Sequence, residues 1–399
     1  MSFKSLGLSE PLLRVVVELG YKEPTLIQTK SIPIILKGDD ILASAQTGTG
    51  KTASFLLPLM QKIASKPKER SNLTKVLILT PTRELAAQVH ENILQFGRYL
   101  NLRAQIVFGG TKLYSQIRKL SSGVELLVAT PGRLLDLHNR KAIRFDEVEH
   151  FVLDEADRML DMGFIHDIKR IIKLLPQNKQ TLMFSATFSP EIRKLAKTIL
   201  INPKEIHAGT QNTSVEAIEQ YVHPVDKANK FSLLSHLIHQ HKWNQALVFS
   251  QTKRGANKLV RQLTAAQIHS VAIHGDKTQA QRTKALNGFK AGEIHILIAT
   301  DLASRGIDIE KLPCVINFDL PKCPEDYVHR IGRTGRAGEA GLAISLVSSD
   351  EANQLRSIEK LINLKLKKIA MENFEPIQCL PIINERLKKS RWRGRSKGR

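Results

Sequence analysis

Apolar residues in this chain fall in short, continuous blocks separated by longer amphipathic stretches. In the first half the blocks are Ile41-Leu42-Ala43, Val76-Leu77-Ile78-Leu79, Ala104-Gln105-Ile106-Val107-Phe108, Leu126-Leu127-Val128-Ala129, Phe151-Val152-Leu153 and Thr181-Leu182-Met183-Phe184. Runs of this length, rich in β-branched residues and leucine and lacking polar alternation, predict parallel strands buried on both faces. The stretches between them carry helical periodicity, so the pattern predicts an α/β layer structure. Ahead of the first strand, Ser9 to about Leu19 reads as a short helix that ends at Gly20. A second helix starts at Pro24-Thr25, with Gln28 one turn in.

The rhythm then repeats. Ala246-Leu247-Val248-Phe249-Ser250, Ser270-Val271-Ala272-Ile273, Ile294–Ala299, Val315-Ile316-Asn317-Phe318 and Ala343–Val347 form a second βα series. Between the two lie Asn202-Pro203 and Gly209–Ser214, a polar stretch rich in breakers and the natural linker. The expected organisation is an N-terminal region over 1–30, a first lobe over 31–207, a linker over 208–216, a second lobe over 217–370 and a tail over 371–399. A chain of 399 residues suits two domains better than one core.

The most informative stretch is Ala45-Gln46-Thr47-Gly48-Thr49-Gly50-Lys51-Thr52, which leaves the first strand and opens a helix. Strand, glycine-rich turn and helix N-terminus together make a phosphate-binding loop. Converging backbone N–H groups and the helix dipole favour an anion there. Lys51 would reach the β- and γ-phosphates of a nucleoside triphosphate, and the Thr52 hydroxyl would bind Mg²⁺. Ala45 stands where the strict pattern has glycine, which is tolerable at ordinary negative φ. Downstream, the apolar strand Phe151-Val152-Leu153 ends in Asp154-Glu155. Ligands bind at the carboxyl ends of parallel strands, so these acids can meet the loop. Asp154 would hold Mg²⁺ through water, and Glu155 would orient and deprotonate the attacking water. The second series has no such loop of its own, which implies that it acts on the same nucleotide from elsewhere.

A formal net charge of +22 changes the picture further. ATP alone does not need it, whereas a polyanion such as nucleic acid would use it. Eight of the fourteen residues from Arg386 to Arg399 are Lys or Arg, with Trp392 available to stack on a base. Three scattered cysteines, Cys314, Cys323 and Cys379, suit neither a disulfide framework nor a zinc site. With no apolar leader and no run long enough to span a bilayer, a cytoplasmic setting without membrane partners is expected. His236, His239 and His241 read as a solvated helix face, not a metal site.

Asp154-Glu155-Ala156-Asp157 spells the name of the DEAD-box RNA helicases, and the chain resembles that family along nearly its whole length. The resemblance implies two tandem RecA-like parallel-sheet lobes joined by a short linker, with a basic, disordered C-terminal tail. Gly20-Tyr21, Pro24-Thr25 and Ile27-Gln28 resemble the family's Q motif, with Phe3 as its upstream aromatic. By that resemblance Gln28 reads the adenine edge and Tyr21 packs on the ring. Asp157 would partner Ser185-Ala186-Thr187 to link hydrolysis to strand separation. His329-Arg330-Ile331-Gly332-Arg333-Thr334-Gly335-Arg336 resembles the motif in which the arginines matching Arg333 and Arg336 reach the γ-phosphate, while His329 and Arg330 take part in coupling. Asp308 would contact the ATP ribose, and Thr300 and Arg305 the RNA backbone.

Other motifs of the resemblance point at RNA. They are Pro81-Thr82-Arg83, Gly109-Gly110 and Thr130-Pro131-Gly132-Arg133 in the first lobe, and Phe249, Gln279 and Arg282 in the second. Backbone N–H groups, hydroxyls and arginines suit phosphate and sugar, which carry no base sequence. The implied activity is RNA-stimulated hydrolysis of ATP to ADP and phosphate, coupled to local, non-processive unwinding. ATP and Mg²⁺ would be bound, and single-stranded RNA and short duplexes engaged largely without regard to sequence, in settings such as ribosomal precursors or RNA-decay complexes. An ATP-gated RNA clamp that acts as a scaffold is the alternative from the binding class, and a processive DNA helicase is less favoured by the same motifs. Glu375-Pro376-Ile377-Gln378 and the basic ending resemble the bacterial RhlE-like branch.

Overall fold

A computed structural model describes residues 2–45, 49–66, 73–208, 218–304, 312–335 and 341–377. The chain divides into two compact units, the first Met1–Gln211 and the second comprising Asn212–Ser304 and Ile309–Arg399. Among the described residues no helix is long and apolar enough to cross a membrane.

The first unit is built on seven parallel strands: β1 (Ile41–Ala45), β2 (Val76–Leu79), β3 (Ala104–Val107), β4 (Leu126–Ala129), β5 (His150–Leu153), β6 (Gln180–Ser185) and β7 (Lys204–Ala208). They lie in the order β3-β4-β2-β5-β6-β1-β7. Successive residues of the central strands enter opposite cores. Val76 and Ile78 pack with Ile41, Phe55 and Phe184, whereas Leu77 and Leu79 pack with Leu127, Phe151 and Met183. This is why the strands read as continuous apolar runs: each has two faces to bury.

Six of the seven strands were legible; β7 was not. Its burial alternates, with Ile206 and Ala208 inward and Lys204, Glu205 and His207 outward, as an edge strand's does. It pairs with β1, so Ala208, expected to begin the linker, instead ends a strand. Residues 209–216 of that linker lie outside the described residues. The N-terminal 1–30 region is part of the same core, since Phe3, Leu6, Leu12 and Val15 are buried in it. Its first helix spans Glu10–Glu18.

The second unit repeats the plan with β8 (Ile218–Pro224), β9 (Ala246–Phe249), β10 (Ser270–Ile273), β11 (Ile296–Ala299), β12 (Cys314–Asn317), β13 (Gly341–Val347) and β14 (Lys367–Lys368). Their order is β10-β11-β9-β12-β13-β8-β14. The boundary expected at 370 is corrected here. Ile369 N donates to Val222 O at 2.9 Å, Met371 and Phe374 pack against the core, and Ile377 N donates to Asp226 at 3.0 Å. Residues 371–377 therefore belong to the folded unit. The basic tail from Gln378 onward lies outside the described residues.

Candidate nucleotide and nucleic-acid sites

All strands of the first sheet run the same way, so the loops after them gather along one edge. Strand order sorts those loops. Ends of β3, β4 and β2 carry the motifs expected to meet RNA, while ends of β5 and β1 carry those expected to meet ATP.

On the nucleotide side Ala45 ends β1 and Lys51 opens the helix Lys51–Ala64; Gln46, Thr47 and Gly48 lie outside the described residues, and Thr49 forms the bend before Gly50. Gly50 has φ of 83°, a conformation that disfavours a side chain. A Cβ there would also collide with the Gln28 amide. Gln28 is fully buried and doubly engaged: its Oε1 accepts from Thr25 N at 2.9 Å, and its Nε2 donates to Gly50 O at 3.1 Å. The capping box that starts the helix Leu26–Lys37 thus holds the adenine-reading candidate against the phosphate loop. Tyr21 keeps 40% of its surface exposed, its ring 6.3 Å from both Phe3 and Phe96.

Lys51 and Asp154 are buried side by side, Nζ to Oδ1 at 2.9 Å. Burial alone would lower the Lys51 pKa, but Asp154, Glu155 and Asp157 hold the ammonium above its ordinary value. Burial, reinforced by Glu155, pushes the Asp154 carboxyl upward against the pull of Lys51. Neither carboxylate oxygen of Asp154 receives a hydrogen bond of regular geometry among the described residues. A fully buried carboxylate with Glu155 beside it fits a hydrated divalent cation, with Thr52 at the start of the helix Lys51–Ala64 as the second candidate ligand.

Glu155 sits at φ 55° and ψ 53°, a left-handed backbone conformation unusual for a non-glycine residue and one that costs about 1–3 kcal/mol. Its carboxylate accepts from Arg158 Nη1 at 2.6 Å, and both side chains are buried. Asp157 faces the other way. Its Oδ2 accepts from Ala186 N at 3.0 Å and Thr187 N at 3.1 Å, with Thr187 Oγ1 at 3.4 Å, while Ser185 Oγ donates to Thr187 O at 2.7 Å. The acids after β5 and the hydroxyl turn after β6 therefore form one hydrogen-bonded unit.

Along the rest of the edge, Pro81 precedes Thr82, whose side chain caps the helix Arg83–Phe96 by accepting from Leu85 N at 3.2 Å. The Arg83 guanidinium crosses to the loop after β3 and lies over Gly110, where any side chain would collide with it; Gly109 lies beside it. Thr130 precedes Pro131 and Gly132 at the start of the helix Pro131–Asn139. Arg133 donates to Thr111 O from both terminal nitrogens, at 3.4 and 3.3 Å. Three strand-end motifs are thus locked together.

In the second unit, Arg282 Nη2 donates to Ala303 O at 3.4 Å, joining the helix that Gln279 opens to the turn after Thr300. Arg305, Asp308 and Arg336 lie outside the described residues. Arg333 is buried just past the helix Pro324–Ile331, which carries His329. Two of the expected residues are held inside the unit. Phe249 is fully buried, and its ring carries the Arg330 guanidinium at 4.8 Å. Arg330 is a tie within the unit, bidentate to Asp301 at 2.5 and 2.8 Å, and donating to Asn317 Oδ1 at 2.9 Å and Asp319 O at 2.7 Å. Arg158, Asp301 and Asn317 were assigned no role from sequence. Their only signal was adjacency to a motif or position at a strand end.

Comparison with known proteins agrees with this geometry. The DEAD/DEAH box helicase family matches residues 25–195, and the helicase conserved C-terminal domain matches residues 229–338. The ATP-dependent RNA helicase CshA of Limosilactobacillus reuteri is 41% identical over 366 residues, 92% of this chain and 73% of its own length. Its namesake from Listeria monocytogenes is 43% identical over 365 residues, covering 92% and 69%. Both are CshA proteins, so their names do not support the RhlE-like branch read from residues 375–378. Saccharomyces cerevisiae Dbp5 bound to RNA and ADP BeF3 aligns with a TM-score of 0.83 at 32% identity, covering 92% of this chain and 95% of that one. On these matches the chain belongs to the DEAD-box family of ATP-dependent RNA helicases.

Proposed function

We propose that this RNA helicase spends each ATP on releasing a short stretch of RNA duplex locally, through the residues gathered at the two strand-end edges. The observation that carries the reading is the buried Lys51–Asp154 pair, set beside the Glu155 carboxylate at one end of the sheet. Lys51, the Thr49–Gly50 backbone and the helix that follows hold the β- and γ-phosphates, with Gln28 and Tyr21 on the adenine. Thr52 and Asp154 would hold Mg²⁺, which would neutralise phosphate charge. Glu155 orients water toward the γ-phosphorus and takes its proton as the bond to ADP breaks. Arg333 and Arg336 supply guanidinium donors suited to the charge spreading over the phosphoryl oxygens, and Asp308 a carboxylate suited to the ribose.

RNA is held by its backbone at Thr82, Arg83, Gly109, Gly110, Thr130 and Arg133, by Gln279, Arg282 and Thr300 of the second unit, and by Arg305. Contacts to phosphate and 2′-hydroxyl groups make binding largely indifferent to sequence and favour RNA. Asp157, shared between the catalytic acids and Ser185-Ala186-Thr187, relays the state of the nucleotide to that surface. Free Cys314 and Cys323 suit the reducing cytoplasm, where ribosome precursors and RNA-decay complexes are fitting substrates.

The test is ATP hydrolysis with and without single-stranded RNA. RNA should stimulate hydrolysis, and Glu155→Gln should abolish it while nucleotide binding persists. Equal rates with and without RNA would sink the reading. A short-duplex release assay separates unwinding from an ATP-gated clamp.

A further inference from the structure

Among the described aromatic side chains, Tyr114 stands furthest into solvent, 86% exposed. It lies on the helix Leu113–Leu120, whose Gln116 and Leu120 are buried while Tyr114, Ser115, Arg118 and Lys119 face outward. That helix begins directly after the Gly109–Thr111 loop, and the loop is held firmly. Gln116 Nε2 donates to Phe108 O at 3.0 Å, Thr111 Oγ1 donates to the same carbonyl at 3.2 Å, and Arg133 grips Thr111 O. Arg118 lies one turn beyond Tyr114 on the same face, and neither it nor Lys119 has an acidic partner among the described residues.

From this placement we infer that Tyr114 is a base-stacking subsite beside the RNA edge of the first unit. A nucleobase turned away from the backbone track lies on the phenol ring, and Arg118 faces its phosphate. This inference rests on the RNA-binding reading and adds to it. Backbone contacts alone are blind to the base, whereas an aromatic platform responds to its presence and stacking strength. A rigid aromatic held at a fixed point on the edge would set the register at which the strand enters the clamp.

The experiment is a titration of full-length protein with a short, single-stranded oligoadenylate and with a series carrying one abasic ribose at successive positions. Tyr114→Ala should weaken binding roughly 5- to 100-fold, and Tyr114→Phe should bind like the parent. One abasic position should weaken the parent by a similar factor and leave Tyr114→Ala no weaker. Unchanged affinity in Tyr114→Ala would overturn the inference. So would abasic penalties equal in both proteins at every position, because the loss would then not involve a base. RNA-stimulated hydrolysis by the parent is read in parallel: its absence would undo the RNA reading, whereas its presence with an unaffected Tyr114→Ala would remove the stacking subsite alone.

Discussion

Arg158, on the short helix Ala156–Asp161, donates at 2.6 Å to the carboxylate of Glu155, the residue that precedes that helix, with both side chains buried. Glu155 occupies a left-handed backbone conformation there, so its side chain is aimed by a strained main chain and held by the Arg158 guanidinium. Removing the guanidinium leaves a buried carboxylate without that partner, a loss on the order of 3–5 kcal/mol for buried pairs. Arg158→Met should therefore lower kcat for RNA-stimulated hydrolysis by at least tenfold and destabilise the first unit. Arg158→Lys keeps the charge without the planar fork and should recover stability more than kcat. Steady-state kinetics beside thermal denaturation read the two effects separately. A variant with normal kcat would show that Arg158 does not position the acid.

Asp157 receives two backbone N–H bonds from the turn after β6 while its neighbours serve the nucleotide. Asparagine at this position keeps the shape but loses the charge that strengthens both bonds. Asp157→Asn should reduce duplex release several-fold more than ATP hydrolysis. Measuring the two rates on one RNA duplex gives the ratio directly, and equal losses in both would mean that the contact is structural only.

Arg330 shows where sequence reading stops. The phosphate loop, the acids after β5 and the arginine-glycine stretch of the second half were legible because their chemistry demands fixed residue types at fixed spacing. Core strands were legible because they are buried on both faces. Edge strand β7 and the 371–377 segment were not: β7 presents only two inward residues, and Met371 and Phe374 are lost among charges. Arg330 was read as a coupling residue among similar arginines. Only packing reveals that it is buried between Asp301, Asn317 and Phe249, while Arg333, three residues on, is buried just past the helix end.

Both arginines are buried, but the four polar ties of Arg330 make a different prediction for it. Arg330→Ala leaves Asp301 without its bidentate partner and Asn317 Oδ1 and Asp319 O without this donor, so the second unit should lose about 3–5 kcal/mol. Arg333→Ala should cost activity more than stability, as expected of a group whose work is done on the phosphoryl oxygens. Denaturant titrations of each variant, beside hydrolysis rates, should separate them. Comparable stability losses would place both arginines in the framework of the fold.

His150 begins β5 at the end of the sheet away from the site, and burial, helped by the Lys62 ammonium, lowers its pKa to about 4. Its Nδ1 lies 3.1 Å from Gln180 Oε1, which also accepts from Lys62, while Glu149 beside it pulls weakly the other way. The unfolded chain has an ordinary imidazole near 6.5, so between about 4 and 6.5 the unfolded state binds the extra proton. Stability from this group is complete above pH 6.5 and is lost as pH falls toward 4, by about 3 kcal/mol at most. His90 and His223 are shifted in the same direction, so the first unit and the second should both weaken in acid. His150→Gln, which cannot titrate, should flatten part of the decline in unfolding free energy between pH 7 and pH 5. If the two proteins lose stability in parallel over that interval, the imidazole is not held neutral in the fold.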